Sequence, residues 1–123
     1  MRWLIIASIL LTQVTLAYAN CQVFVPVKEF YNSGYVINFD FTKMLSEKNY
    51  KEVYSASEAD FELKLEGIEQ EGRLHKAVAI LEMGAYKAQE SVTCYTQYCG
   101  VSDYGKAFSR SYKKLSKLIP ACN

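Results

Sequence analysis

The four cysteines constrain this chain more than any other feature of its sequence. Cys21 and Cys122 lie near the two ends, and Cys94 and Cys99 are separated by four residues. An even number of cysteines in an exported chain is typical of structural disulfides. Three pairings are possible, and the spacing favours Cys21 with Cys122 and Cys94 with Cys99. The first bond would be the main covalent constraint, because it closes the longer loop.

A redox pair or a metal site is the alternative role of Cys94 and Cys99. Both chemistries usually need two residues between the sulfurs, so that both sulfurs face one centre. His75 is the only imidazole in the chain and the only one that could support either chemistry. We therefore predict structural disulfides, no metal ligands and no cofactor.

The first residues have the three parts of a secretory signal peptide. Arg2 precedes the apolar run Trp3–Leu11, and a small-residue triplet ends at Ala19. This pattern predicts a cleaved signal peptide over 1–19 and a secreted or periplasmic chain over 20–123, without a transmembrane segment. A retained membrane anchor is the alternative, although polar residues interrupt the apolar stretch.

The charge balance argues against nucleic acid as a partner. The whole sequence has 14 Lys and Arg against 13 Asp and Glu, and removal of Arg2 makes the two numbers equal. Such a chain lacks the positive charge that non-specific nucleic-acid binding needs. No repeat or linker divides 20–123, so we predict a single disulfide-linked domain over that range.

The N-terminal part predicts a strand followed by a helix. Residues Gln22–Val27 are rich in β formers and contain a proline, which suits a strand end, and residues 31–34 predict a turn. Between 38 and 50 the apolar residues recur at helical spacing, and Asn38 or Asp40 can cap the first turn.

Three strands are predicted next. Residues 59–66 alternate apolar with charged side chains, which indicates a strand with one buried face and one acidic, solvated face. After a polar turn at 69–73, residues 74–92 fit either a helix or two strands joined by a turn at Gly84. The strands are preferred because residues 91–96 have a β-rich composition.

The C-terminal helix has the clearest pattern. Its apolar residues recur every three or four positions from Tyr104 to Ile119, with Ser102 or Asp103 as the cap and Pro120 as the stop. The predicted order is strand, helix, three strands, helix. This order indicates an α+β two-layer sandwich, in which two helices cover one face of a mixed or antiparallel sheet.

The middle of the chain resembles a group of small bacterial envelope lipoprotein domains. Residues Met44–Val53 followed by Ala59–Leu65 are similar to their signature, a helix leading into Lys-Gly-Tyr, then Val, then an Ala-Asp-x-x-Leu strand. The group includes domains similar to the curli-secretion lipoprotein and the lipopolysaccharide-assembly accessory lipoprotein. Asn49 stands where the group has Gly, and the residues before Cys21 depart from the lipidation pattern. The resemblance, which covers Phe39 to Leu65, implies assembly, secretion or partner binding without catalysis.

Two surfaces are candidates for partner binding. Four cations recur on one side of the C-terminal helix at spacings of four, three and four: Lys106, Arg110, Lys113 and Lys117. This basic stripe can dock to an envelope protein or an anionic envelope surface, or it can be an ordinary solvated face that the acidic strand partly balances. The tyrosines that flank the Cys94–Cys99 bridge, Tyr95, Tyr98 and Tyr104, offer large contact areas with polar tips, but core or half-buried packing is the preferred prediction for them.

Catalysis is not expected. His75 is a candidate base that Asp60 or Asp103 could orient, but no nucleophile motif, phosphate loop or paired-carboxylate motif accompanies it. We therefore predict an exported, non-catalytic binding or assembly-accessory protein of the bacterial envelope. The alternative is a small secreted enzyme, or an enzyme inhibitor that acts through the Cys94–Cys99 loop.

Overall fold

The structure, a computed structural model, describes residues 21–32, 34–95 and 98–122, so the predicted signal peptide lies outside the described residues. The elements follow in the order β1 (Gln22–Phe24), β2 (Glu29–Asn32), β3 (Tyr35–Asn38), α1 (Thr42–Glu47), β4 (Lys51–Val53), a 3-10 turn (Ala56–Glu58), β5 (Phe61–Gln70), β6 (Lys76–Met83), β7 (Tyr86–Thr93) and α2 (Val101–Leu118). The predicted α+β class is confirmed. Within the described ranges, no helix is long and apolar enough to cross a membrane.

The main sheet is mixed and has the order β4-β1-β5-β6-β7. β1 runs parallel to both β4 and β5, whereas β5, β6 and β7 form an antiparallel meander. The segment 74–92 therefore forms strands rather than a helix. Gly84, with φ +59°, begins the two-residue turn between β6 and β7, and a positive φ at the first of two turn residues is the pattern of a type II′ hairpin.

One face of this sheet carries the core, and both helices bury side chains in it. Met44 and Leu45 of α1 lie in the same cluster as Leu115 of α2 and Leu63 and Leu81 of the sheet. α2 packs directly on β6 and β7. The buried Ser111 hydroxyl donates to the Ala79 carbonyl at 2.6 Å, so the one polar side chain among the buried residues described is satisfied.

The predicted element order is incomplete, because it omits a hairpin and a short parallel strand. β2 and β3 pair as a separate two-stranded sheet, and β4 adds an edge next to β1. The hairpin is held by its aromatic side chains. The Phe30 ring lies 4.8 Å from the Tyr104 ring and 5.2 Å from the Phe108 ring, measured between centroids. These three- and four-residue strands depend on such distant contacts, which local periodicity does not report.

α1 is shorter than the predicted 38–50 helix and ends in a Schellman motif. The Asn49 amide donates to the Ser46 carbonyl and the Tyr50 amide to the Leu45 carbonyl, at 3.1 and 2.8 Å. Asn49 has φ +64°, the left-handed conformation that Gly and Asn tolerate best. At the other end, Asp40 accepts from the Thr42 amide at 2.9 Å, and this bond holds the pKa of the Asp40 carboxyl below its usual value.

The start of α2 differs from the prediction by two or three residues. Gly100 is the N-cap, and Asp103 lies inside the first turn, where its carboxylate accepts from the Gly100 amide at 2.8 Å. Ser102 is therefore not the cap. Asp103 fulfils the reciprocal half of a capping box. The predicted stop before Pro120 is confirmed, since the last helical residue is Leu118.

Candidate functional site

Two disulfides fix the positions of the chain segments next to the candidate surfaces. The structure joins Cys21 to Cys122 and Cys94 to Cys99, with Cα–Cα distances of 5.9 and 5.3 Å. These are the pairs that the spacing favours. The segment after α2 is also bonded to the end of α1, because the Cys122 amide donates to the Lys48 carbonyl at 2.7 Å. The C-terminus of α2 is thus held at a fixed place against the sheet.

The Cys94–Cys99 loop is anchored at both of its cysteines. The Cys94 amide donates to the His75 carbonyl at 2.8 Å, and the Cys99 amide donates to the Glu69 carboxylate. Both cysteines are buried, so this disulfide is placed as a structural bond rather than as a reactive one. Glu69 therefore anchors this loop through the Cys99 amide. Sequence reasoning missed this role, because Glu69 lies in a segment predicted to be a polar turn.

The two candidate tyrosines of this loop are exposed. Tyr95 is 90% exposed and Tyr98 is 66% exposed. Tyr98 also meets the His75 ring edge-on, with centroids 6.4 Å apart. The preferred prediction, core or half-buried packing, is therefore wrong for these two tyrosines and right for Tyr104, which is 2% exposed. Residues 96 and 97, between them, lie outside the described residues.

His75 is not oriented by either of the carboxylates that the sequence offered. Asp60 accepts from the Gln22 amide and Asp103 from the Gly100 amide, both in backbone hydrogen bonds. The nearest acid is Glu69, whose Oε2 lies 3.9 Å from His75 Nδ1. That nitrogen is inaccessible to solvent and has no hydrogen-bond partner among the described residues. The arrangement supplies no oriented base. In the described ranges, no group of three or more His, Cys, Asp or Glu side chains is placed to hold a metal ion.

The buried Tyr104, in the first turn of α2, lies near three partly exposed polar side chains, Tyr35, Glu69 and Asp103. Burial, with the charges of Glu69 and Asp103 and the nearby Tyr35, raises the pKa of Tyr104 to about 12. Burial also raises the pKa of Tyr35. Both phenols therefore remain neutral at physiological pH, and they contribute to packing rather than to a charged site.

The basic stripe occupies the outward face of α2. Its four cations are all exposed, and Tyr104, Phe108 and Leu115 fill the opposite side of the helix. Within the described residues, Lys106, Lys113 and Lys117 form no ion pair, whereas the Arg110 Nη1 donates to the Ser91 carbonyl at 3.4 Å. The four side chains span roughly 16 Å along the helix axis at 1.5 Å per residue.

The acidic strand does not balance this stripe. Leu63 and Leu65 of β5 belong to the core. Because side chains alternate along a strand, Glu62 and Glu66 project from the opposite face of the sheet, away from α2. Glu90 of β7 is closer, but its Oε1 lies 3.8 Å from the nitrogen of Lys114, which is outside the stripe. The far face of the sheet carries Lys64, Lys76 and Lys87 as well as Glu62, Glu66 and Glu82, so it is mixed in charge. The near-zero net charge therefore conceals one basic face, that of α2.

The fold and these surfaces define an α+β protein with two disulfides, a basic helix face and an exposed tyrosine loop. Comparisons with protein-family models, with curated proteins and with solved structures found no match for this chain. Its function is therefore argued from its own surfaces.

Proposed function

We propose that this chain is an exported, non-catalytic binding or assembly-accessory protein of the bacterial envelope, and that the basic stripe of α2 is its contact surface. Two disulfides suit an oxidising compartment, and the signal-peptide pattern supports export. The observation that carries the proposal is the stripe itself. None of its four cations has an ion pair in the described part of the chain, and the strand that could have neutralised them faces the other way.

An envelope protein suits this surface better than a bare lipid surface does. Each Lys or Arg near an anionic membrane contributes about 1 kcal/mol. The four cations would thus supply roughly 4 kcal/mol, which corresponds to millimolar affinity. A protein partner with acidic side chains adds hydrogen bonds and apolar contact to the same attraction.

The test is charge reversal on the stripe. The variant carries Lys106→Glu, Arg110→Glu, Lys113→Glu and Lys117→Glu. The control carries the same number of reversals at exposed lysines elsewhere: Lys43, Lys51, Lys64 and Lys76. The disulfide-bonded chain 20–123 is cross-linked in an envelope fraction, and the recovered partner is quantified. We expect wild type and control to recover the same protein and the stripe variant to lose it.

Two results would contradict the proposal. Equal recovery by the stripe variant and the control would show that the stripe is only a solvated helix face. Tight binding to vesicles of anionic lipid, with no protein recovered, would show that the partner is the membrane surface. Thermal unfolding of both variants establishes that they are folded.

The inhibitor alternative has one specific observation in its favour. Tyr95 is almost fully exposed on a loop that is closed by a disulfide and anchored through Cys94 and Cys99. A rigid aromatic side chain of this kind loses little entropy on binding. Tyr95→Ala, compared with Tyr31→Ala at another exposed tyrosine, separates the two surfaces. Loss of partner recovery with Tyr95→Ala alone would assign binding to the loop instead of the stripe.

A further inference from the structure

β7 is a long edge strand of the main sheet, and within the described residues no strand pairs with its outer side. The sheet ends at β4 on one side and at β7 on the other. β4 has three residues, whereas β7 has eight. Its register with β6 is continuous, without a bulge. Edge strands are usually blunted by prolines, bulges or several charges. β7 has no proline, and its two charged residues, Lys87 and Glu90, have opposite signs.

The register identifies which backbone groups of this edge face outward. In an antiparallel pair, hydrogen-bonded and non-bonded positions alternate. The Cys94 amide donates to the carbonyl of His75, the residue directly opposite it beyond the end of the ladder. The positions of β7 that bond to β6 are therefore Tyr86, Ala88, Glu90 and Val92. The intervening residues direct their N–H and C=O groups away from β6. They are Lys87, Gln89, Ser91 and Thr93.

Among the described residues, one side chain contacts this outward row. Arg110 Nη1 approaches the Ser91 carbonyl at 3.4 Å, longer than the 2.7–3.2 Å of a typical N–H···O bond. Lys114, one turn further along α2, lies 3.8 Å from the Glu90 carboxylate. α2 thus places two cations beside the open edge, on the core-facing side of the sheet.

We propose that β7 accepts an extended acidic segment of a partner protein as a sixth strand of the main sheet. The segment bonds to the outward backbone groups of β7, and its alternate side chains, which face α2, are acidic. One of them pairs with Arg110, and another lies beside Lys114, whose ammonium then lies between the new carboxylate and that of Glu90. In the complex, the Arg110 guanidinium exchanges its 3.4 Å contact with the Ser91 carbonyl for an ion pair with a carboxylate of the segment. The inference rests on the proposed function, and it names the class of partner and the way in which the partner is held.

A second copy of this chain is a poorer occupant of the same edge. If two β7 strands paired about a twofold axis with their helices on one side, Arg110 and Lys114 of each copy would meet those of the other. Like charges in such a seam are destabilising. An acidic strand instead forms favourable contacts with the same cations. Its main-chain hydrogen bonds to β7 supply affinity, as in other cases of strand addition.

The first experiment uses a synthetic peptide of eight residues, the length of β7, in which Glu alternates with Thr or Val. The control peptides carry Lys in place of Glu, or N-methyl groups on alternate amides. Each is titrated into the disulfide-bonded chain 20–123 and followed by amide NMR and hydrogen exchange. We expect saturable binding of the Glu peptide with slowed exchange at Gln89 and Ser91, and at least about tenfold weaker binding of both controls. Unchanged exchange at these two amides at millimolar Glu peptide would overturn the proposal.

The second experiment alters the edge of the protein itself. Gln89→Pro removes an N–H that faces away from β6, so the β6–β7 ladder keeps its bonds, while Gln89→Thr keeps the N–H. We expect Gln89→Pro to weaken Glu-peptide binding by about tenfold or more and Gln89→Thr to preserve it. Equal binding by both folded variants would contradict strand addition. If the proline variant does not fold, the N-methylated peptide still decides the question.

The outcomes separate this inference from the proposed function. If the envelope partner is lost on charge reversal of the stripe but still binds Gln89→Pro, the binding role stands and strand addition is wrong. If the peptide binds at β7 but no envelope partner depends on the stripe, the proposed function fails and the open edge stands. A concentration-dependent dimer in sedimentation that Gln89→Pro abolishes would assign β7 to a second copy and would overturn the acidic-strand proposal.

Discussion

Gly67→Ala tests the packing that holds the β2–β3 hairpin on the sheet. A Cβ atom at Gly67 would lie 2.4 Å from Cε2 and 2.6 Å from Cζ of the Phe30 ring. Carbon atoms pack at about 3.5 Å or more, so the ring would have to move by about 1 Å. The ring cannot move freely, because Tyr104 and Phe108 lie on its other sides, with centroids 4.8 and 5.2 Å away.

The expected change in stability follows from two opposing effects. Overpacking of this kind costs about 1–3 kcal/mol, and replacing Gly by Ala within a strand returns about 0.5–1 kcal/mol. We therefore expect Gly67→Ala to lower the free energy of unfolding by about 1–2 kcal/mol. For a domain of this size, that corresponds to a fall in Tm of about 5–15 °C.

A double-mutant cycle shows whether Phe30 is the cause. Urea unfolding of the oxidised protein, followed by circular dichroism, is measured for Gly67→Ala in wild type and in a Phe30→Ala background. Without the ring, the substitution should stabilise by about 0.5–1 kcal/mol, giving a coupling of about 2 kcal/mol. Gly105→Ala is the matched control, because no atom lies within 4 Å of its Cβ position, and it should stabilise α2 by about 1 kcal/mol. An equal cost of Gly67→Ala in both backgrounds would refute the reasoning.

Three further predictions concern the covalent and local constraints. Changing Cys21 and Cys122 together to Ser removes a link across a sequence separation of 101. Urea unfolding should then show a loss of up to about 4.7 kcal/mol in the chain-entropy account, and an unchanged midpoint would contradict it. Asn49→Ala should cost about 1 kcal/mol and Asn49→Gly should cost nothing in the same assay, because only the first strains a positive φ. Because burial disfavours the phenolate, the raised pKa of Tyr104, about 12, means that the wild type loses about 2 kcal/mol of stability as the pH rises from 10 to 12. The free energy of unfolding of the wild type should therefore fall relative to that of Tyr104→Phe over that window, and a constant difference would show that the phenol is not perturbed.

The sequence predicted the elements that are long enough to show a period. α2 has five turns of regular apolar spacing, and β5 alternates over its length, so both were predictable from local pattern alone. The hairpin and β4 were not, because their stability comes from contacts with α2 and β1 that lie far away in sequence. The position of Glu69 under the Cys94–Cys99 loop has the same origin. No local signal distinguishes a glutamate that anchors a loop from one that faces solvent.

The resemblance to envelope lipoprotein domains remains a proposal, and Asn49 does not count against it. The position follows α1 directly, and its φ of +64° is required for the two hydrogen bonds that end the helix. Glycine meets this requirement because it has no Cβ, and asparagine meets it at a small cost. Asn49 therefore holds a backbone conformation that a glycine at this position could also adopt.

The distribution of charge also explains why sequence patterns alone could not decide between a binding surface and a solvated helix. The sequence contains equal numbers of opposite charges after Arg2 is removed, and the stripe could have been neutralised by β5. Because side chains alternate along β5, Glu62 and Glu66 lie on the far side of the sheet. The Glu90 carboxylate lies 3.8 Å from the ammonium of Lys114, which is outside the stripe. An acidic segment arriving at β7 would therefore meet Arg110 and Lys114 on its α2 side, whereas the side chains of β7 on the other face are Lys87, Gln89, Ser91 and Thr93. Acids at every second position place all the carboxylates beside the α2 cations, and the alternating Glu peptide has that pattern.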